Sequence, residues 1–397
     1  MLISKQLSPL AAAMLLASGL AQAASFTQTG AGLLATDVSA DGRVVVGSNA
    51  VSGHYFSWTA EAGLVDIGGK AAGNGVGGSP RISADASRVS GVALNAANNS
   101  YEMAYRNMST GQWTTLGGIG GSNGTTTVEV SAGWAISDNG QFVAGAAWAP
   151  GTATGRGRAS VWSASSNAIT NLGDSGITGG NNSTRAAAVS NDGKTVVGWG
   201  LGRRPMLWTD ADGDGSYVRT EIMSSSGGAL SEATDMSSDG KWVVGMGSTG
   251  NAKQAWRWSA ATGTVDLGTL MPLGAVGSAT AVSEDGMTVL GYERPQGAAS
   301  ASFGKGFIWT AAAGMKSFDA FLASYGIDVG DSFNFSTPLA MSADGKTFVG
   351  FGNVNGSPSS VGFIVNIAAA VPEPSSYVML AGGLFALAWL AKRRKSV

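Results

Sequence analysis

Polar and apolar positions fall into a ten-residue phrase, first seen at Val38–Gly47 as VSADGRVVVG: a hydrophobic residue, Ser, a polar turn with Asp-Gly, an apolar run and a closing Gly. Seven copies begin at Ser39, Ser83, Ser137, Ser190, Ser237, Ser283 and Ser342, and in each the closing Gly lies eight residues after the Ser. Their spacings are 44, 54, 53, 47, 46 and 59 residues. Asp-Gly between β-branched runs supplies the positive dihedral of a tight turn, and the Ser hydroxyl caps that turn locally. The phrase therefore reads as strand, turn, strand. A second phrase follows in most units, as FSWTAEAGLVDIG from Phe56, VWSASSNAITNLG from Val161, MLWTDADGDGSYV from Met206, WRWSAATGTVDLG from Trp256 and FIWTAAAGMKSF from Phe307. It adds two strands around a Gly-containing turn. Four short antiparallel strands per unit, repeated seven times, predict an all-β fold, a seven-bladed β-propeller over residues 24–370.

Two units depart from the rule. In the second, Ala86-Ser87 replaces the Gly side of the turn, and Tyr105 and Asn107 stand where other copies carry an aromatic and Trp, so this blade should be the least regular. The seventh stops at Gly362-Phe363-Ile364-Val365 without a fourth strand, while Ser25–Leu34 precedes the first phrase unassigned. The N-terminal stretch is expected to complete the last blade and remove an exposed sheet edge.

Composition fits a secreted, turn-rich β protein: charged residues make up 13% of the 397 positions, Gly numbers 61 and Cys is absent. The net charge of −2 hides an asymmetry. Setting aside Lys5, Glu373 and the basic residues 392–395 leaves 19 basic against 25 acidic side chains, a mildly acidic body that argues against nucleic acid as partner.

The ends carry targeting patterns. Residues 1–23 read as a signal peptide, with Lys5, an apolar run from Leu10 to Leu20 and a cleavage site at Ala21-Gln22-Ala23. At the other end Pro372-Glu373-Pro374 precedes an apolar segment, taken as a transmembrane helix over 376–391, and then Lys392, Arg393, Arg394 and Lys395, whose charge sets the cytoplasmic end. These three parts, in this order over 371–397, resemble the PEP-CTERM sorting signal of Gram-negative bacteria. The resemblance implies export, an inner-membrane intermediate, processing near Pro372-Glu373-Pro374 by an exosortase-type enzyme, and transfer to the cell surface, often in cells that make exopolysaccharide. The body resembles the HAF-type extracellular repeat family, whose units pair Ser-x-Asp-Gly…Val-x-Gly with a following aromatic and Trp. That resemblance implies a secreted repeat protein without established catalysis.

The sharpest local motif is Asp210-Ala211-Asp212-Gly213-Asp214-Gly215-Ser216 with Glu221. Carboxylates at Asp210, Asp212, Asp214 and Glu221, with the Ser216 carbonyl, match the spacing of a Ca²⁺ loop, here between strands rather than helices, and a loop closed around its ion has a structural role. The repeated Asp41, Asp192, Asp239, Asp285 and Asp344 read as turn residues. Trp58, Trp162, Trp208, Trp258 and Trp309 are expected between blades, leaving Trp113, Trp134, Trp148, Trp199, Trp242 and Trp256 as candidates for glycan stacking. His54 is the sole histidine, which tells against a Ser-His-Asp triad or a zinc site. Asp37 and Asp235 each stand two residues before a repeat Ser, where a channel-lining strand would aim both carboxylates inward. No residue is assigned a catalytic role. The reading is a non-enzymatic exported surface or matrix protein that binds or scaffolds extracellular polysaccharide; the alternative is a polysaccharide hydrolase or lyase with carboxylates at the channel mouth.

Overall fold

In the computed structural model the described residues are 24–367, apart from the loop positions 74–75, 125–126, 152–155, 175–181, 248–253, 272–273, 298–303, 356 and 358. The signal-peptide residues Ala21 and Ala23 and the whole sorting signal, from Pro372 to Lys395, lie outside them. Among the described residues no helix is long and apolar enough to cross a membrane.

Seven four-stranded antiparallel sheets follow one another as blades over 33–68, 81–115, 131–171, 185–221, 233–266, 275–317 and 333–366. The seventh blade supplies only three strands from its own segment, and its fourth is Ser25–Ala31, which pairs antiparallel with Ser360–Asn366. The closing strand is shorter than the stretch 25–34 suggested, because Leu33 already begins the innermost strand of the first blade. The second blade has the shortest inner strand, two residues at Arg81–Ile82, as its broken phrase implied. Its register corrects one expectation. Ala104 lies opposite Gly91 and Arg106 opposite Val89, so Ala104 and Arg106, rather than Tyr105 and Asn107, occupy the slots filled elsewhere by an aromatic and Trp. The wide gap between the last two phrases holds a short helix, Phe318–Ala323, capped by the Ser317 side chain.

The Ser phrase builds the same turn seven times. Each Ser hydroxyl donates to the Asp or Asn two residues on, as Ser39 does to Asp41 at 2.6 Å and Ser137 to Asn139 at 2.7 Å, and accepts the N–H five residues on. Position four takes a positive φ in every copy, including 58° at Ala86, where the chain tolerates the left-handed conformation without Gly. Neighbouring turns are linked through the residue after Ser: Ala40 N–H donates to Ala84 O, Ala84 N–H to Asp138 O, Asn191 N–H to Ser238 O and Ala343 N–H to Ala40 O. The result is a girdle of hydrogen bonds around one mouth of the central channel.

The closing Gly has a different purpose. In six blades it pairs with the residue at which the inner strand bulges, for example Gly47 with Ala35 and Gly198 with Ala186. The bulge pushes an inner-strand carbonyl into the space a Cβ would need: Leu34 O at Gly47, Ala132 O at Gly145 and Arg185 O at Gly198. In four blades an aromatic from the third strand lies on the same Gly: Phe56, Trp256, Phe307 or Phe363. The extra residue of each bulge, among them Thr36, Trp134, Thr234 and Thr280, reaches the channel. Thr36 hydrogen-bonds the carbonyl of Pro80, just before the following blade, at 2.8 Å, and Thr280 that of Pro338, in the following blade, at 2.6 Å.

Apolar packing is distributed as seven clusters, one at each junction between blades. Trp162, Trp208 and Trp309 are buried in these junctions and Trp58 and Trp258 pack against them, as expected. Between the sixth and seventh blades, Phe318, Phe333, Phe335, Phe348 and Phe363 form a cluster that Phe26 of the closing strand joins, with ring centroids 5.1 Å from Phe335 and 5.2 Å from Phe333.

Candidate functional site

Two cavities along the channel share Arg81, Ala187 and Leu339 and so form one passage. The first, about 750 Å³, opens at the turn girdle and is lined by Asp37, Asp138, Asp235 and Glu284 with Arg81. The structure does bring Asp37 and Asp235 to the channel, but it employs both. Asp37 accepts the N–H of Ile82 at 2.9 Å and Asp235 that of Val282 at 3.0 Å, each from the inner strand of the next blade. They are staples between blades one and two and between five and six. Burial raises both: Asp235 is pushed up to about 7, with Arg81 and the backbone donors pulling the other way, and Asp37 moves in the same direction. Asp138 is pushed up to about 6 by burial and by the nearby Asp37 and Glu284.

The second mouth, about 440 Å³, is lined by the bulge residues Thr36, Trp134, Thr234 and Thr280 and by Arg185, Arg203 and Glu232. Through Trp134 and Arg185 it joins a lateral cleft of about 570 Å³ between the third and fourth blades and the loops that precede the second and third. Each side chain is placed by a strand end: Trp134 by the bulge, Trp148 and Trp199 by the last positions of second strands, and Arg185 by the first position of an inner strand, opposite Trp199. The Arg185 guanidinium carbon lies 4.1 Å from the Trp134 ring centroid and 5.3 Å from that of Trp199, a double cation–π stack. Glu232 sits 3.9 Å from Arg185 and also contacts Arg203. On the far wall Glu129 accepts the Gly77 N–H and is pushed up to about 7 by burial.

Glu129 gives a testable pH dependence. Its folded value exceeds the ordinary 4.5, so the unfolded chain releases this proton first. The associated stability is present below about pH 4.5 and is lost as pH rises through about 7. Glu129→Gln is expected to raise stability at pH 8 by about 1–2 kcal/mol and to leave it unchanged at pH 4, read from urea unfolding at both pH values. An equal effect at the two pH values would refute the assignment.

The remaining candidates distribute as follows. Of the six Trp residues set aside for stacking, Trp134, Trp148 and Trp199 converge on the cleft. Trp256 does not, since it is fully buried over Gly245 and donates to Met246 O at 2.8 Å. Trp113 donates to Ile67 O at 2.7 Å, and Trp242 lies under Arg257, 4.4 Å from its guanidinium carbon. Its position two residues before Trp258, matching Phe56 before Trp58, was a sequence signal for the burial of Trp256. Asp210, Asp212 and Asp214 do converge, with carboxylate oxygens within 4.8 Å of one another. Asp210 already accepts the N–H groups of Gly213, Asp214 and Gly215, and Ser216 N–H donates to Asp214 at 2.7 Å. Glu221 is not part of this group: it pairs with Met206 at the far end of the hairpin, where Arg204 binds it at 3.2 Å. His54 meets Asp66 at 3.0 Å on the surface. Sequence reasoning did not single out Arg81, Arg185 or Glu129, none of which belongs to a repeated phrase.

Residues 370–395 match the PEP-CTERM protein-sorting motif. The chain therefore carries a signal for export and surface sorting, of the kind processed by exosortase-type enzymes. No curated protein matches the chain. Among solved structures, the β-propeller domain of the Trilobed protease from Pyrococcus furiosus, described as having an open velcro topology, is similar at 10% identity and a TM-score of 0.50, over 87% of this chain and 99% of that one. TolB from Acinetobacter baumannii matches at 13% identity and a TM-score of 0.39, over 84% of this chain, which spans 63% of TolB. The first likeness is one of fold, that of a β-propeller.

Proposed function

We propose that this chain is a non-enzymatic surface or matrix protein whose propeller binds extracellular polysaccharide after sorting by its PEP-CTERM signal. The observation that carries the reading is the cleft in which Trp134, Trp148 and Trp199 converge, because aromatic faces backed by fixed polar groups suit sugar rings. The use of Asp37 and Asp235 as blade staples supports binding over the hydrolase alternative, which needs two free carboxylates. The Asp210 loop is proposed as a weak structural Ca²⁺ site, with three carboxylates and without Glu221. The test is co-sedimentation of the full-length chain with the extracellular polysaccharide of the cell that exports it, in Ca²⁺ and in chelator. Retention that falls at least tenfold in Trp148→Ala is the expected result, with Ca²⁺ changing thermal stability more than retention. Retention unaffected by Trp148→Ala would sink the cleft as the binding site.

A further inference from the structure

The cleft carries more than aromatic surface. Six buried side-chain atoms among the described residues lack a hydrogen-bond partner, and three of them, Arg156 Nε, Arg185 Nε and Trp199 Nε1, belong to residues that line this cleft. All three are donors. A site whose protein groups lack acceptors is complementary to a ligand rich in acceptors, because a buried donor left unmet is costly.

Charge points the same way. Arg156 and Arg185 line the cleft, and Arg203 stands beside it at the channel mouth. Glu232 is shared between Arg185 and Arg203, so it offsets one of the two. Glu129, the carboxylate in the cleft wall, is pushed by burial toward its uncharged form, against the Gly77 N–H it accepts, which favours the charged form. The cleft is thus cationic on a body that is otherwise acidic. Arg185 keeps a quarter of its side chain accessible, while its guanidinium covers one face of Trp134 and one of Trp199. Trp148, also in the lining, is the ring assigned to the sugar face.

We propose that this cleft takes an anionic sugar residue of a polysaccharide, with its carboxylate or sulfate group toward Arg156 and Arg185 and its ring against Trp148. This rests on the polysaccharide-binding reading and narrows it to acidic polymers. Arg recognises both anions through its planar fork, so the two sources share one chemistry.

The experiment measures binding of the full-length chain, in detergent, to alginate, dextran sulfate and neutral dextran. Alginate or dextran sulfate is expected to bind at least tenfold more tightly than dextran, and whichever binds better identifies the anion as carboxylate or sulfate. Arg185→Gln is expected to remove that preference, and Arg156→Gln, in a surface loop away from the blade core, tests the same point if the Arg185 variant fails to fold. Equal binding of charged and neutral polymers would overturn the anion assignment and leave polysaccharide binding standing. A charged-polymer preference that survives both Arg substitutions would place the anion elsewhere and overturn the site. Absence of binding to all three polymers, together with absence of retention by the native polysaccharide, would overturn both readings.

Discussion

Gly198→Val is expected to abolish folding, whereas Gly73→Ala leaves stability unchanged. At Gly198 an added Cβ overlaps Arg185 O and crowds the Ala186 backbone, and neither belongs to a flexible side chain that can turn away. The inner strand can yield only by losing its bulge, and the bulge sets which residues reach the channel. Loss of the ladder there, together with overpacking at a blade junction, is expected to cost about 4 kcal/mol or more, the range in which single domains lose their native state. Gly73 has open space around its Cβ and no positive φ, so it controls for the loss of a glycine as such. Soluble yield and urea unfolding of the two variants check the contrast, and a Gly198→Val protein with native stability would show that the carbonyl approach does not restrict the site.

Deleting residues 25–31 is the second change of large expected effect. It removes the outer ladder of the seventh blade, from Ser25 opposite Asn366 to Ala31 opposite Val361, and takes Phe26 from its contacts with Phe333 and Phe335. It also leaves Ser360–Asn366 as a bare edge, a template for pairing with another chain. A fall in thermal midpoint of about 10 °C or more is expected, since several kcal/mol are lost from one domain, with oligomers appearing in size-exclusion chromatography. A monomer with an unchanged midpoint would mean that the closing strand does not hold the ring.

Both predictions rest on features of unequal legibility in the sequence. The seven copies of the Ser phrase, five of them Ser-x-Asp-Gly, announced the blades because a tight turn needs particular residues at fixed offsets, and local chemistry repeats when the local geometry repeats. Closure by the N-terminal stretch was legible by subtraction, since the seventh unit lacked a strand. The closing Gly was visible as a repeat, but its reason was not: a bulge is a relation between two strands, and nothing in VVG says that a carbonyl from another strand will press on it. The shift from Tyr105 and Asn107 to Ala104 and Arg106 has the same origin, because register is set across strands. The cleft was half legible. Its Trp residues stood out by falling outside the repeated slots, whereas Arg185 met Trp199 through cross-strand register and Trp134 through the stacking of separate blades, and Glu129 came from the loop before the third blade. The acids Asp37 and Asp235 were placed correctly in the channel, and their employment as staples depended on where the next blade's N–H groups would lie.

Ring closure also decides how the protein bears load. The sorting motif begins at residue 370, shortly after the strand Ser360–Asn366, so a pull transmitted from the tail arrives first at that strand. Because Ser25–Ala31 covers its outer side, the loaded strand is flanked by two ladders, one to the closing strand and one to Thr347–Val354. Tension must peel both at once, so a strand that would otherwise tear from the edge is anchored on two sides, and the N-terminal strand reinforces the one that leads into the sorting motif.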